Sequence, residues 1–148
     1  MLRIPAGSRY AIAGLAIASA ALAACGGGSS ARTVAVTELD YHVTPSVTSV
    51  AAGKVSFKIH NGGGFTHEFV VDKYDDASDL PKDRNGEVNE DAVPASRHIG
   101  ETSGIKPGTT QTLTLTLPAG KYVLFCNLTD GKISHFARGM HADLSVTG

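Results

Sequence analysis

Apolar and polar residues alternate over short segments of the chain, and residues 111–117 show this most clearly. Leu and Thr alternate in this segment, so the Leu side chains should face a core and the Thr side chains should face solvent. No segment after residue 33 has the period of a convincing amphipathic helix. Runs rich in β-branched residues predict strands at 33–38, 46–50, 54–61, 67–72, 111–117, 121–128 and 142–147.

Turn residues separate these strands, including the three glycines at 62–64 and the Pro-Gly pair at 107–108. Short strands at this spacing predict an all-β fold in which two sheets pack as a sandwich. Residues 75–103 do not follow the pattern, because they are acidic, interrupted by two prolines and poor in β-formers. We expect an excursion at one edge of the sandwich, with a helical turn near 89–93.

The N-terminal residues have the features of a secretory signal peptide. Arg3 and Arg9 precede an Ala-rich apolar stretch at 10–24. This stretch is shorter than the ~20 residues that a transmembrane helix needs. We therefore expect residues 1–24 to be removed after they direct export of the chain.

The residues around Cys25 resemble a bacterial lipobox, in which a cysteine after small residues receives a lipid. Leu22-Ala23-Ala24 comes directly before Cys25, and a Gly/Ser run follows it. We expect residues 25–32 to be a lipidated tether and residues 33–148 to be the folded domain. The protein would then be extracytoplasmic and anchored to the bacterial cell membrane. An ordinary cleavage site that happens to precede a cysteine is the alternative.

The charge balance argues against nucleic acid as a partner. The chain has 13 Lys and Arg residues against 14 Asp and Glu residues, with a formal net charge of −1. It contains no basic run or stripe, which nucleic-acid binding would require.

The cysteine count draws attention to Cys126. The only other cysteine is Cys25, so a lipidated Cys25 would leave Cys126 alone in an oxidising compartment, where thiols are usually paired. His135 follows Cys126 after eight intervening residues, and Met140 follows His135 after four. A thiolate, an imidazole and a thioether on one loop form a donor set that selects copper.

A trigonal copper site needs a second imidazole, and His67 is the best candidate. It begins a predicted strand directly after the turn at 62–66, which contains the three glycines. That position places it at the same end of the sandwich as the loop that contains Cys126.

These segments together resemble the cupredoxin family, which includes plastocyanin and azurin. The residues that carry the resemblance are His67-Glu68-Phe69-Val70-Val71, then Cys126, His135 and Gly139-Met140. The resemblance covers most of residues 33–147. It implies a Greek-key sandwich of about seven or eight strands that holds one copper ion, cycling between Cu(I) and Cu(II), through His67, Cys126, His135 and Met140.

The spacing between Cys126 and His135 departs from the pattern of small electron carriers in the family, which is shorter. It is more similar to the type 1 copper loop of copper nitrite reductases. The same four ligands are compatible with either spacing. Because of this longer spacing, the resemblance gives no detailed expectation for the exposed surface around His135.

Each candidate ligand also has an ordinary structural interpretation. Cys126 could be a buried thiol without a metal, and Met140 could fill a gap in the core. His42, His60 and His98 lie away from the ligand loop and are expected to be structural or solvent-facing. His141 adjoins Met140, and neighbouring strand residues point to opposite faces, so we expect it to face away from the copper.

The predicted site indicates an electron carrier rather than an enzyme, because four protein ligands leave no open position for a substrate. The partners would be redox donor and acceptor proteins of unknown identity. A copper chaperone or storage protein and a metal-free interaction module with the same fold are the alternatives.

Overall fold

In the computed structural model, which describes residues 30–148, the chain folds into two β-sheets and a small hairpin. The predicted signal peptide, Cys25 and most of the tether lie outside the described residues. Within residues 30–148, no helix is long and apolar enough to cross a membrane. The strands of this part of the chain are β1 (Arg32–Leu39), β2 (His42–Pro45), β3 (Ser49–Ala51), β4 (Gly53–Asn61), β5 (His67–Asp72), β6 (His98–Ile105), β7 (Thr110–Leu117), β8 (Gly120–Phe125), β9 (Thr129–Asp130), β10 (Ile133–Ser134) and β11 (His141–Thr147).

The four-stranded sheet has the order β2-β1-β4-β7 and shows the alternation expected from the sequence. Buried and exposed positions alternate along β1 and β4, and Leu113 and Leu115 of β7 pack against the core. β1 runs parallel to β4, whereas β7 is antiparallel to β4. The expected all-β sandwich is confirmed.

The five-stranded sheet has the order β3-β11-β8-β5-β6. Its central strands β5 and β8 are buried along most of their length, because both of their faces are covered. The inner face packs against the four-stranded sheet, where Phe69 meets Phe57 with 5.3 Å between ring centroids. On the outer face a second cluster contains Val70, Tyr74, Ala77, Leu80, Val88, Val123, Phe125 and Phe136. Residues 73–97 therefore form a cover over this sheet.

Strand β6 is the largest difference from the expected secondary structure, because the excursion expected at 75–103 ends at residue 97. Residues 98–103 were expected to lie outside the sheets, since they are polar and include a glycine. They pair with β5 at the edge of the five-stranded sheet, with register shifts along the ladder. An edge strand has one unpaired side and needs few apolar side chains. The helical turn expected near 89–93 is confirmed by a 3₁₀ helix at Glu90–Ala92.

The strand expected at 46–50 is wrong in its first three residues. β2 ends at Pro45 and β3 begins only at Ser49. Ser46 is held to Ala35 by two hydrogen bonds, because its N–H donates to the Ala35 carbonyl and its hydroxyl accepts from the Ala35 N–H. The chain uses these residues to pass from the four-stranded sheet to the five-stranded sheet.

Candidate metal centre

Three neighbouring strands of the five-stranded sheet bring candidate ligands to one end of the sandwich. His67 begins β5, and Cys126 directly follows β8, which is antiparallel to β5. β11 pairs with the other side of β8, so Met140, which precedes β11, lies beside Cys126. The Cys126 N–H donates to the Met140 carbonyl at 3.1 Å.

The long loop from Cys126 to Met140 is folded back on itself. β9 and β10, which have two residues each, form a hairpin. The His135 N–H donates to the Leu128 carbonyl at 2.9 Å. A 3₁₀ helix at Phe136–Arg138 follows and ends at Gly139, whose φ of 95° is in the left-handed region that favours glycine. The Met140 N–H then donates to the His135 carbonyl at 3.1 Å. The hairpin therefore accommodates the extra residues and returns His135 to the vicinity of Cys126.

The donor atoms of His67, Cys126 and His135 form a small triangle. The two Nδ1 atoms lie 3.3 Å apart, and the Cys126 Sγ lies 3.9 Å from His67 Nδ1 and 3.4 Å from His135 Nδ1. Within the described residues, this is the one group of His, Cys, Asp or Glu side chains arranged closely enough to hold a metal ion. All three residues are at most 1% exposed.

The size of this triangle fits a first-row metal ion. The point equidistant from the three atoms lies about 2.1 Å from each of them, within the ~2.0–2.3 Å at which imidazole and thiolate bind a metal such as zinc. Met140 is fully buried in the same core cluster as Cys126. Its backbone is tied to both Cys126 and His135, as the role of a fourth ligand would require. The assignment of the four ligands remains a prediction.

Burial keeps the candidate ligands uncharged. It raises the pKa of the Cys126 thiol to about 12. It also lowers the pKa of His67 and the pKa of His135. The neighbouring His67 lowers the pKa of His135 further. The imidazoles are therefore neutral near pH 7 and have lone pairs for a metal. The thiol keeps its proton until a cation supplies the charge that stabilises the thiolate.

Side chains around the triangle hold it in place. The Glu68 N–H points at the Cys126 Sγ at 3.5 Å, and the Glu68 carboxylate accepts from the Asn127 N–H at 2.9 Å. Asn61 donates to the carbonyls of Phe65 and Ile105 at 2.8 and 2.7 Å. These contacts fix the segments on both sides of His67 and Cys126.

The β1–β2 connection contributes two further groups. The Asp40 carboxylate lies 3.0 Å from His67 Nε2. The Tyr41 ring stands edge-on to the His135 ring, with 5.1 Å between centroids. Residues 41–45 belong to a segment that resembles the cupredoxin family in sequence, but Asp40 does not, because it reaches the site only through the pairing of β1 with β4.

Glu38 is a buried carboxyl near the same end of the sandwich. It is 0% exposed, and neither of its carboxyl oxygens has a hydrogen-bond partner among the described residues. Burial, together with the charge of Glu68, raises the pKa of Glu38 to about 8. Glu38 therefore keeps its proton at neutral pH.

The remaining histidines lie outside the triangle. His42, His60 and His98 are exposed, and His98 Nδ1 lies 3.0 Å from the buried carboxylate of Asp72. His141 is exposed, whereas Met140 is buried. The two neighbours therefore face in different directions, as the alternation of a strand predicts.

Comparison with known proteins identifies the fold of this chain as cupredoxin-like. A family model described as a cupredoxin-like domain matches residues 10–135. The dithionite-reduced auracyanin of the photosynthetic bacterium Roseiflexus castenholzii is similar, with a TM-score of 0.58 and 21% identity, over 80% of this chain and 98% of that one.

Two further solved structures show the same fold. Auracyanin A of Chloroflexus aurantiacus, described as a "blue" copper protein, has a TM-score of 0.53 and 19% identity, over 80% of this chain and 100% of its own. An azurin of Methylomonas sp. strain J has a TM-score of 0.53 and 21% identity, over 80% of this chain and 100% of its own. No curated protein sequence matches the chain.

Proposed function

The chain belongs to the cupredoxin-like family, and from that premise we propose that it is a mononuclear type 1 copper protein that carries single electrons between redox partners. The observation that supports this most directly is the buried triangle of two imidazole nitrogens and one thiol sulfur. Two His and one Cys with a weak axial Met are the ligand set of blue-copper electron-transfer sites. Copper would supply the one-electron exchange between Cu(I) and Cu(II).

The protein's own residues would keep the site nearly unchanged during that exchange. His67, Cys126 and His135 are held by two strand ends and by the folded-back loop, so they have little room to move. Met140 would provide the weak fourth bond. The Glu68 N–H aimed at the Cys126 sulfur would stabilise negative charge there, and such contacts tune the reduction potential.

Burial of the ligands supports an electron carrier rather than an enzyme. The three triangle residues are at most 1% exposed, and Met140 is fully buried. With four protein ligands, the metal would have no open position at which a substrate could bind.

An apolar patch beside His135 is the surface we propose for contact with redox partners. This copper-end patch consists of Tyr41 and Phe65, and Phe65 is 38% exposed. Tyr41 stacks on Phe65, and both rings approach the His135 ring. Electrons would therefore have a short route from the metal through His135 to a protein bound at this patch.

We also propose that lipid on Cys25 anchors the protein to the outer side of the cell membrane. The fold supports this arrangement, because the N-terminal end of β1 and the ligand end of the sandwich lie at opposite ends of the sheets. A tether before Arg32 would leave the copper-end patch free. Replacing Cys25 by Ala should release the mature protein from the membrane fraction, and unchanged membrane attachment would contradict the lipid anchor.

The test of the copper proposal is the visible absorption spectrum of the oxidised protein after loading with Cu(II). A strong thiolate-to-copper band at the red end of the spectrum is expected, with one copper per chain. The zinc-loaded protein is the matched control and should be colourless. If copper binds without the band, a chaperone or storage role is favoured. If no copper binds, a metal-free interaction module is favoured.

A further inference from the structure

We propose that Asp40 is a positioning residue that holds His67 in one orientation and strengthens its imidazole as a copper ligand. This inference rests on the copper site proposed above. It assigns a role to a residue that is distant from every candidate ligand in sequence and comes from the other sheet.

The Asp40 carboxylate is held in place by contacts on both of its oxygens. Oδ1 lies 3.0 Å from His67 Nε2 and 3.3 Å from the Phe65 backbone nitrogen, and Oδ2 accepts the Gly64 N–H at 2.7 Å. Both oxygens of the carboxylate therefore have donors within hydrogen-bond distance.

The glycine turn is shaped around this carboxylate. A Cβ atom at Gly63 would lie 2.3 Å from Asp40 Oδ1 and 3.0 Å from His67 Nε2, closer than side chains tolerate. The absence of a side chain at this position lets Asp40 reach the imidazole. The turn thus joins two strands and also makes room for the contact.

The contact determines which nitrogen of His67 can bind the metal. A carboxylate at Nε2 requires a proton there, so the lone pair stays on Nδ1, which is the nitrogen that faces Cys126 and His135. The charge also makes the imidazole a stronger donor. His135 differs, since its Nε2 is buried without a hydrogen-bond partner among the described residues. The two imidazole ligands would therefore be unequal.

Asp40→Asn tests this inference, because it keeps the size of the side chain and one acceptor oxygen but removes the charge. Loss of such an outer partner typically weakens metal affinity by about 10–100-fold. We expect that loss for Zn(II), measured by competition with a chromophoric chelator. The affinity for Cu(II) should fall more than the affinity for Cu(I). Each tenfold difference between these two losses raises the one-electron reduction potential by about 59 mV.

Asp130→Asn is the matched control, because Asp130 lines the hollow beside His135 and its charge acts on that imidazole without a hydrogen bond to it. It removes the same charge near the site and should change Zn(II) affinity and the potential much less. Equal shifts in both variants would overturn the positioning role, as would an unchanged Asp40→Asn protein. The zinc measurement also separates this inference from the proposed function, since it needs neither colour nor redox activity.

Discussion

The five-stranded sheet and the four-stranded sheet contribute different kinds of residue to the candidate metal centre. His67, Cys126 and Met140 lie at the ends of strands of the five-stranded sheet, and His135 lies on the loop between two of these strands. The four-stranded sheet and its connections contribute the groups around the ligands: Glu38, Asp40, Tyr41 and Asn61. One sheet supplies the donor atoms together with Glu68, and the other supplies the rest of these surroundings.

The two sheets also differ in how they are covered. The outer face of the four-stranded sheet is exposed, as the polar residues that alternate along β1 and β7 show. The outer face of the five-stranded sheet is covered by residues 73–97. The central strands β5 and β8 are thus buried on both sides, which limits the movement of their ends at His67 and Cys126. Loss of Cys126 should therefore abolish the site, and loss of a covering residue should destabilise the fold, whereas changes at Glu38 or Asp40 should leave both the site and the fold in place.

The largest effect is expected from Cys126→Ser, which removes a candidate ligand at the end of a strand of the five-stranded sheet. A hydroxyl cannot supply the thiolate donor, so the blue band should be lost completely. The absorption spectrum after Cu(II) loading measures this, with wild-type protein loaded in parallel. A variant that keeps the band would exclude Cys126 as the ligand.

Leu80→Ala tests whether the cover over the five-stranded sheet stabilises the fold. Leu80 is 3% exposed in the outer cluster, and truncation of a buried Leu costs about 2–5 kcal/mol. Val47→Ala is the control at a position that is 42% exposed, where a surface change costs within about 0.5 kcal/mol. Denaturant unfolding measures both. Similar small losses in the two variants would show that the cover contributes little.

Glu38→Gln probes the four-stranded sheet through the pH dependence of stability. The pKa of Glu38 rises from 4.5 to about 8 on folding, so the unfolded chain loses this proton at lower pH than the folded protein does. Stability should therefore fall as pH rises from 4.5 to about 8. Glutamine stays neutral and should stabilise the protein by up to about 3 kcal/mol at pH 7.

The same pair of proteins at pH 4 provides the control for Glu38→Gln. At pH 4, Glu38 is largely protonated in both the folded and the unfolded protein. The melting temperatures of the wild-type and Glu38→Gln proteins should therefore nearly coincide. A difference that is the same at pH 4 and pH 8 would mean that the titration of Glu38 is not its cause.

The smallest effect is expected at the axial position. Met140→Leu should keep copper and colour while raising the reduction potential, because loss of a weak donor destabilises Cu(II). A shift on the order of 60 mV corresponds to a tenfold change in the one-electron equilibrium. His141→Ala is the matched neighbour and should leave the potential unchanged. Bleaching of the His141 variant with no change in the Met140 variant would instead assign the ligand to His141.

Three strands of the four-stranded sheet could be predicted from the sequence because only one face of this sheet is buried, whereas the short strand β2 was missed. One-sided burial leaves alternation in β1, β4 and β7, and alternation is a local signal. β6 gave no such signal, since an edge strand with exposed polar residues resembles a loop in sequence.

The candidate ligands could also be found from sequence, whereas their surroundings could not. Cys126, His135 and Met140 share one loop, and their residue types alone suggest copper. Asp40 and Glu38 belong to an ordinary amphipathic strand and its end, and only the parallel pairing of β1 with β4 brings them to the site. That pairing is non-local, so no spacing in the sequence reveals it.

The burial of Cys126 has a consequence for the protein before it acquires metal. Thiols react with oxidants as thiolates, and both a high pKa and poor access slow this reaction. With a pKa raised to about 12 and no exposed surface, the sulfur of the folded metal-free protein should resist conversion to sulfenic acid or to a mixed disulfide. Slow labelling of the folded metal-free protein by a thiol reagent, and rapid labelling after denaturation, would demonstrate this protection. If the protein is exported as proposed, the fold would preserve a reduced sulfur in an oxidising compartment until copper binds.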